Sequence, residues 1–530
     1  LDAGTVRQAV DRALAVYDVE CEGDQVPRYI HKVKDGTHVY LFANLGRQAL
    51  ETHVQLRGRM DLEAWDPHTG RAQPATYSHE SETNQSITRL LLQLPPRKSL
   101  FFVGREALRV DTRDTNEPSA DCPTVQPRRV VRLDPDYGGQ WVVAGDVDGD
   151  GQVEIVSSEN VNVGDVHYTS TAVAQELDGS VLWRWGDPQP GRKVWHHDVA
   201  CQIHDWDADG DNEVVLCTKG ALVVLDGTTG AEMQRITIAK DATDCLVFCH
   251  LSSANGPCDV LVKDRYHQIW AYNAEGNLLW TVRDPGGYRT AHQPRPLDLD
   301  GDGLDEIFAG YAMLKADGSI RWVFQSQAVD QKRGHLDCAR VVCRGDSPSE
   351  FRIALTLCGA NHVALIDGNG ALLWEASGHH YESVDVGRVL PHAPGPQIVV
   401  DIDHQPYGNS PLCVFDEQGH LLGRITTNYS RHHALLDWNG DSLDEMIVAH
   451  TCGLYDHHGV RIATLATPGA ERPNVKGTYE KSVLIGDMDG DRIADLTLVT
   501  PDRVYVYRNV KGKRADGAVR LGSERNFTLY

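Results

Sequence analysis

The sequence predicts an all-β protein: an eight-bladed β-propeller preceded by a small antiparallel β-sandwich. Two recurring patterns predict the propeller, an acidic loop at one fixed spacing and a tight turn leading into an apolar run. The sandwich follows from the opening ~112 residues, which share neither pattern yet alternate apolar and polar residues as strands do.

In the acidic loop, Asp146, Asp148, Asp150 and Glu154 stand at offsets 0, 2, 4 and 8. The same offsets recur in Asp205, Asp207, Asp209 and Glu213, and in Asp298, Asp300, Asp302 and Glu306. They recur again in Asp437, Asn439, Asp441 and Glu445, and in Asp487, Asp489, Asp491 and Asp495. An apolar β-prone stretch precedes each loop and another follows it, so each unit reads strand, loop, strand. The second pattern runs from Leu177-Asp178-Gly179 to Trp183, from Asn273 to Trp280, from Ala316-Asp317-Gly318 to Trp322 and from Asp367 to Trp374. Asp-Gly pairs between β runs are hairpin turns. Four strands in roughly 45–55 residues is the period of a propeller blade.

Both patterns together give eight units, beginning near residues 130, 196, 242, 290, 335, 380, 431 and 480. Three of them have lost the carboxylates, around 252–259, 343–350 and 390–397. Seven blades is the fallback, should one terminal unit only close the ring. Ahead of the repeats, strands are expected at 38–42, 53–56, 88–94 and 100–103, after a short amphipathic segment at 6–19. The expected organisation is a sandwich over 1–112, a linker over 113–129 rich in Asp, Asn and Pro, and the propeller over 130–530.

The formal charge of −24 argues against nucleic acid as a partner. No apolar run approaches the ~20 residues needed to span a bilayer. Leu1 opens directly into polar sequence, which reads as a processed or trimmed form or a segment of something longer. The twelve cysteines form no CxxC pair. Cys201, Cys217, Cys413 and Cys452 sit in apolar runs as buried thiols would, and Cys245/Cys249 and Cys338/Cys343 are the pairs to check for disulfides.

Oxygen ligands at alternate positions of a tight turn, closed by a carboxylate, suit a hard cation, and several carboxylates in an all-protein cage suit Ca2+ better than Mg2+. Gly149, Gly151, Gly301 and Gly303 give the turn its backbone freedom. A cation also answers the repulsion among stacked carboxylates. The role expected for it is structural.

The run Ala144 to Gly151 closely resembles the FG-GAP type of calcium-binding blade, found in integrin heads and several polysaccharide lyases. The segments 144–156, 177–183 and 196–210 resemble the rhamnogalacturonan lyases of family 11, and lyases that cut a rhamnose–glucuronate linkage share the style. That resemblance implies eight blades, calcium, an acidic polysaccharide as partner, and a secreted, periplasmic or cell-surface location. It also implies calcium near the substrate, for which Asp403 with His404 is a candidate. Tyr29 to Lys32, Val39 to Asn44 and Glu63 to Pro67 resemble the small β-sandwich that ends α-L-rhamnosidase-type glycosidases.

In propeller geometry the residues just before each first strand emerge opposite the acidic loops. There the sequence places His196 and His197, Arg289 and His292, Arg333 and His335, His380 and Tyr381, then Arg431, His432 and His433, and finally Lys481. The second-to-third connections add His167 and Tyr168, then Arg265, Tyr266 and His267, and Asp403 and His404 with Tyr407. A ring of cations and imidazoles in an acidic protein suits an anionic ligand, and aromatic neighbours suit sugar faces. β-Elimination of a uronate polymer needs a cation on the carboxylate, a base for the C5 proton and an acid for the departing O4. Arg289, Arg333 and Arg431 are candidates for the carboxylate, His197, His335 and His380 for the base, and Tyr381 or Tyr168 for the acid. His167, His196, His292, His404, His432, His433 and Lys481 complete the binding set. The alternatives are a non-catalytic carbohydrate- or protein-binding propeller, and the C-terminal part of a larger glycosidase.

Overall fold

The computed structural model describes residues 17–22, 26–34, 37–58, 60–82, 85–106, 122–139, 141–163, 166–189, 199–327, 329, 334–377, 380–391, 393, 395–403, 412–425, 433–457, 459–470 and 481–516. Among them there is no α-helix, and no helix is long and apolar enough to cross a membrane. The chain forms two compact units, Leu1–Asp111 with Leu422–Arg424, and Thr112–Leu421 with Ile425–Tyr530.

In the first unit the alternation of side chains builds two antiparallel sheets over one core. A four-stranded sheet runs Val19–Cys21, Leu50–Arg57, Gln85–Leu94, Tyr77–Glu82 in spatial order. A five-stranded sheet runs Arg28–Lys34, Thr37–Ala43, Ser99–Glu106, Met60–Asp66, Arg71–Pro74. Every second residue of Leu50–Arg57 is buried, the period-two pattern of a strand with one wet face. Val54, Leu56, Leu90 and Leu92 from one sheet meet Tyr40, Phe42, Leu62 and Phe102 from the other. The segment 1–16, which includes most of the expected amphipathic stretch, lies outside the described residues.

The second unit is a series of eight sheets, and within it strands adjacent in sequence pair antiparallel. Their first strands are Trp141–Gly145, Cys201–His204, Cys245–Cys249, Thr290–Leu297, Cys338–Cys343, His380–Gly387, His433–Leu436 and Ser482–Gly486. The first strands of successive sheets adjoin along the series. In each of the five sheets bearing an acidic loop, that loop joins the first strand to the second.

The start of this unit is stitched onto its end. Arg129–Arg132 pairs antiparallel with Arg503–Tyr507 and becomes the outer strand of the eighth sheet, while Thr124–Val125 lies parallel to Arg461–Leu465 in the seventh. A single apolar cluster then joins the first and eighth sheets through Trp141, Val143 and Ile155 with Leu484, Val499 and Val504. Two expectations change as a result. The first repeat starts at Trp141 rather than near 130, and the described part of the expected linker, from Cys122, carries strands. All twelve cysteines are free, including the pairs 245/249 and 338/343.

Neighbouring sheets are locked by a repeated contact that the sequence shows only as two separate signatures. The tryptophan ending one hairpin of a sheet lies against the turn glycine of the next. Trp183 donates its indole N–H to the carbonyl of Gly227 (2.6 Å), Trp280 to Ala316 (2.8 Å), Trp322 to Gly368 (3.0 Å) and Trp374 to Glu417 (3.1 Å). A Cβ on Gly230, Gly318, Gly370 or Gly419 would lie 2.6–2.7 Å from the facing indole. Between the second and third sheets Ile236 takes the place of the indole against Gly276. The buried N–H finds its acceptor and the flat ring finds a residue with no side chain.

Gly318 (φ +81°) and Gly179 (φ +92°) share the left-handed backbone, but nothing stands within 4 Å of a Cβ on Gly179. Gly179→Ala therefore carries only the backbone cost, about 1–2 kcal/mol. Gly318→Ala adds the collision with Trp280, a further ~1–3 kcal/mol of overpacking. Thermal melting of the two variants should show Gly318→Ala several degrees below Gly179→Ala; equal shifts would refute the lock.

Candidate active site

The five acidic loops share one local geometry. The closing carboxylate turns back to accept the N–H one residue after the opening aspartate: Glu154 from Val147 (2.8 Å), Glu213 from Trp206 (2.8 Å), Glu306 from Leu299 (3.0 Å), Glu445 from Trp438 (2.8 Å) and Asp495 from Met488 (3.3 Å). The opening aspartate accepts the later turn N–H groups, as Asp146 does from Gly149 (2.8 Å) and Gly151 (3.0 Å). Burial, reinforced by neighbouring carboxylates, pushes Glu154, Glu213 and Glu445 up to about 7. Glu154 Oε1 and Asp205 Oδ1 are buried without a hydrogen-bond partner.

The loops differ in what neutralises them. Arg321 bonds both Asp300 (3.0 Å) and Glu306 in the third. In the fifth, Arg128 and Arg508 reach Asp489, and Arg508 also reaches Asp491 (2.9 Å). The first three bring Asp146, Asp148 and Glu154, then Asp205, Asp207 and Glu213, then Asp298, Asp300 and Asp302, within 4.8 Å of one another, donor sets fit for a hard cation.

At the other end of the first strands, side chains from the third to sixth sheets converge. His292 is the third residue of its strand, and His335 and Asp337 immediately precede theirs. Asp337 Oδ1 lies 3.1 Å from His335 Nε2 and 3.4 Å from His292 Nε2, without the alignment of a hydrogen bond to either. All three are buried, and their ligand atoms stand within 4.8 Å of one another. Burial pushes His335 below the ordinary histidine range although Asp337 attracts its proton. Tyr266 packs on both imidazoles, with ring centres 4.7 Å from His335 and 5.5 Å from His292. The Arg289 guanidinium lies over Tyr266 at 5.4 Å.

Cys358 extends the cluster. Its Sγ is 3.5 Å from His335 Nε2 and its N–H donates to Asp337 (2.8 Å). Burial pushes the thiol far above its usual range, so it stays protonated and is no nucleophile. It stands with His380 and Glu382 in a second group of possible ligands, where His380 Nε2 meets Glu382 at 2.8 Å.

The structure thus brings together Tyr266, His292, His335, His380 and Arg289 of the residues named from sequence. His167 joins them indirectly, through Asp244 (2.8 Å). Others fall elsewhere. Tyr381 is buried in an apolar cluster with Val384 and Ile398, which removes it from contact with a polymer. His433 is buried against Ser383, Asp401 and the Val399 carbonyl. Lys481 is tied to the His450 carbonyl (3.2 Å) and Cys452 (3.0 Å). Tyr168 is half-buried on the strand Val166–Gln175. His196, His197, Arg333, His404, Arg431 and His432 lie outside the described residues, and so does the side chain of Asp403.

Sequence reasoning missed Asp337, Glu382 and Asp244. A signal existed for two of them, since His335/Asp337 and His380/Glu382 are spaced by two, which sets both members of a pair on one side of an extended chain.

No protein-family model matches the sequence. The rhamnogalacturonan endolyase YesW of Bacillus subtilis (strain 168) is 24% identical over a 519-residue alignment covering 78% of this chain and 78% of its own. Among solved structures, the crystal structure of rhamnogalacturonan lyase YesW covers 90% of this chain and 89% of its own, at 19% identity and a TM-score of 0.51. The Bacillus licheniformis rhamnogalacturonan lyase PL11 covers 92% of each chain at 18% identity, also with a TM-score of 0.51. The fold is shared with these lyases.

His433 supplies a pH test of the fold. Burial pushes its pKa down, but Asp401 and Asp385 outweigh burial and hold it above the ordinary value. Its protonation therefore stabilises the native state below about pH 6.5, and that contribution is lost as pH rises through the raised native value. His433→Gln should flatten the fall in wild-type stability over this range in denaturant titrations. Parallel pH profiles for the two proteins would contradict the ion pairing.

Proposed function

We propose that the chain is a polysaccharide lyase cutting a rhamnose- and uronate-containing acidic polysaccharide by β-elimination. The observation that carries this reading is the convergence of Arg289, Tyr266, His292, His335 and His380 at one end of the first strands. The likeness to rhamnogalacturonan lyases supports the same substrate class.

The roles follow from charge and geometry. Arg289 is exposed and faces the cluster, so its guanidinium neutralises the uronate carboxylate and makes the C5 proton more acidic. His380 takes that proton, its imidazole held charge-complementary by Glu382 at 2.8 Å. Tyr266, packed against both buried imidazoles, protonates the departing O4. His292, His335 and Asp337 are fit to hold a divalent cation, which would supply further positive charge beside the carboxylate.

The eight sheets are, in this proposal, the blades of an eight-bladed propeller whose ring is closed by Arg129–Arg132 on the eighth sheet. Calcium occupies acidic loops and clamps the turn between first and second strands, with the first two loops the best fitted. A polymeric substrate places the enzyme outside the cytoplasm.

Two measurements test these assignments. Incubation with rhamnogalacturonan-type and glucuronate-containing polymers should raise ultraviolet absorbance as the unsaturated uronate forms, and His380→Ala should slow that rise by about 10²-fold or more. No absorbance change on any such polymer removes the lyase assignment. Chelation should lower the melting temperature by several degrees and added calcium should restore it; a curve insensitive to both would remove calcium from the loops.

A further inference from the structure

The connection between the second and third strands of the third sheet holds a group of buried charges that the elimination chemistry leaves unused. Lys263 ends the strand Asp259–Lys263 and is fully buried. Its ammonium donates to Asp244 (2.9 Å) and to the carbonyl of Arg265 (2.8 Å). Asp244 also meets His167 Nδ1 (2.8 Å) and lies 3.6 Å from the Arg265 guanidinium. The side chains of Lys263, Asp244 and His167 are at most 3% exposed, whereas Arg265 keeps 17%.

Burying an ion pair costs desolvation, so such a group is weak evidence for stability. Geometry is what it fixes here. Through the carbonyl of Arg265 it sets the turn that carries Tyr266. The Tyr266 carbonyl in turn accepts the N–H of Thr290 (2.8 Å), one residue after Arg289. Both guanidiniums end over the same ring, Arg265 at 4.9 Å and Arg289 at 5.4 Å from its centre. A guanidinium lying over an aromatic ring keeps N–H donors for a carboxylate, and Arg265 turns one end of its set to Asp244 (3.6 Å). Arg289 is exposed, and among the described residues no carboxylate pairs with it. The same ring touches His292 and His335.

We propose that Arg265 joins Arg289 in a two-guanidinium clamp for a uronate carboxylate, with Asp244 and Lys263 as positioning residues that hold it against the imidazoles. The ligand class rests on the lyase reading; the clamp rests on the stacking and the buried network. Two forks give the bidentate, charge-assisted contact that a single mobile cation does not.

Calorimetric titration tests it with a rhamnose–galacturonate oligosaccharide and its carboxyl-reduced counterpart. Wild type should bind the charged sugar roughly tenfold or more tightly than the neutral one. Arg265→Gln should erase most of that preference and leave neutral binding in place, and Arg265→Lys should restore part of it. Asp244→Asn should lower the preference too, without an equal loss for the neutral sugar. General unfolding would weaken both ligands alike, and should Asp244→Asn fail to fold, the partly exposed Arg265 decides alone. A preference unchanged in Arg265→Gln overturns the clamp, as does wild type that binds the two sugars equally or binds neither. Intact preference with no turnover defeats the lyase reading and leaves the clamp standing.

Discussion

The contact on which the second unit depends is the indole of one sheet set against the turn glycine of the next. Consecutive four-stranded sheets bury their faces on one another, and each is too small to hold a core alone. Apolar burial is nondirectional and would tolerate sliding. The indole N–H to carbonyl bond is directional, and the facing glycine admits the ring at one place only, because a Cβ there would stand about 2.7 Å from it. From the first sheet to the sixth, register between neighbours is therefore set by four tryptophans and one isoleucine.

That fixed register matters because the candidate site belongs to no single sheet. Tyr266 comes from the third, His292 from the fourth, His335 and Asp337 from the approach to the fifth, and His380 from the sixth. Each contributes one or two polar side chains from the same end of its strand, and the distances among them are distances between sheets. A slip of one residue at any junction would move its contribution by about 3.3 Å, enough to dissolve every contact described there. Packing between sheets and the geometry of the site are one constraint.

Repetition made the fold legible. Five copies of one carboxylate spacing, interleaved with Asp-Gly turns, gave the succession of strands and the start of most sheets to within a few residues. The first sheet was misplaced because Arg129–Arg132 is a strand like any other in sequence, and its partner lies more than 370 residues away. No local pattern encodes that. The site was legible in part. His292, His335, His380 and Arg289 stood out by recurring at one place in the repeat, but recurrence cannot separate His335, which is buried beside His292 and Asp337, from His433, which is buried against Asp401. The acids that organise the cluster were passed over because carboxylates had already been assigned to loops. Asp337 and Glu382 lack the loop spacing and follow a histidine by two, which marks a different task.

Two kinds of acid can be told apart in this chain of charge −24. Carboxylates of the loops sit after the first strands and, in the third and fifth loops, pair with Arg321, Arg128 and Arg508. Those before or within the first strands, Asp244, Asp337 and Glu382, are each matched to histidine, lysine or arginine. They draw basic groups toward the opposite end of the first strands. The two kinds of acid fall on different sheets: the loops on the first, second, fourth, seventh and eighth, and Asp244, Asp337 and Glu382 on the third, fifth and sixth. The total charge governs solubility; the local charge, set by which end of a strand an acid occupies, governs what binds.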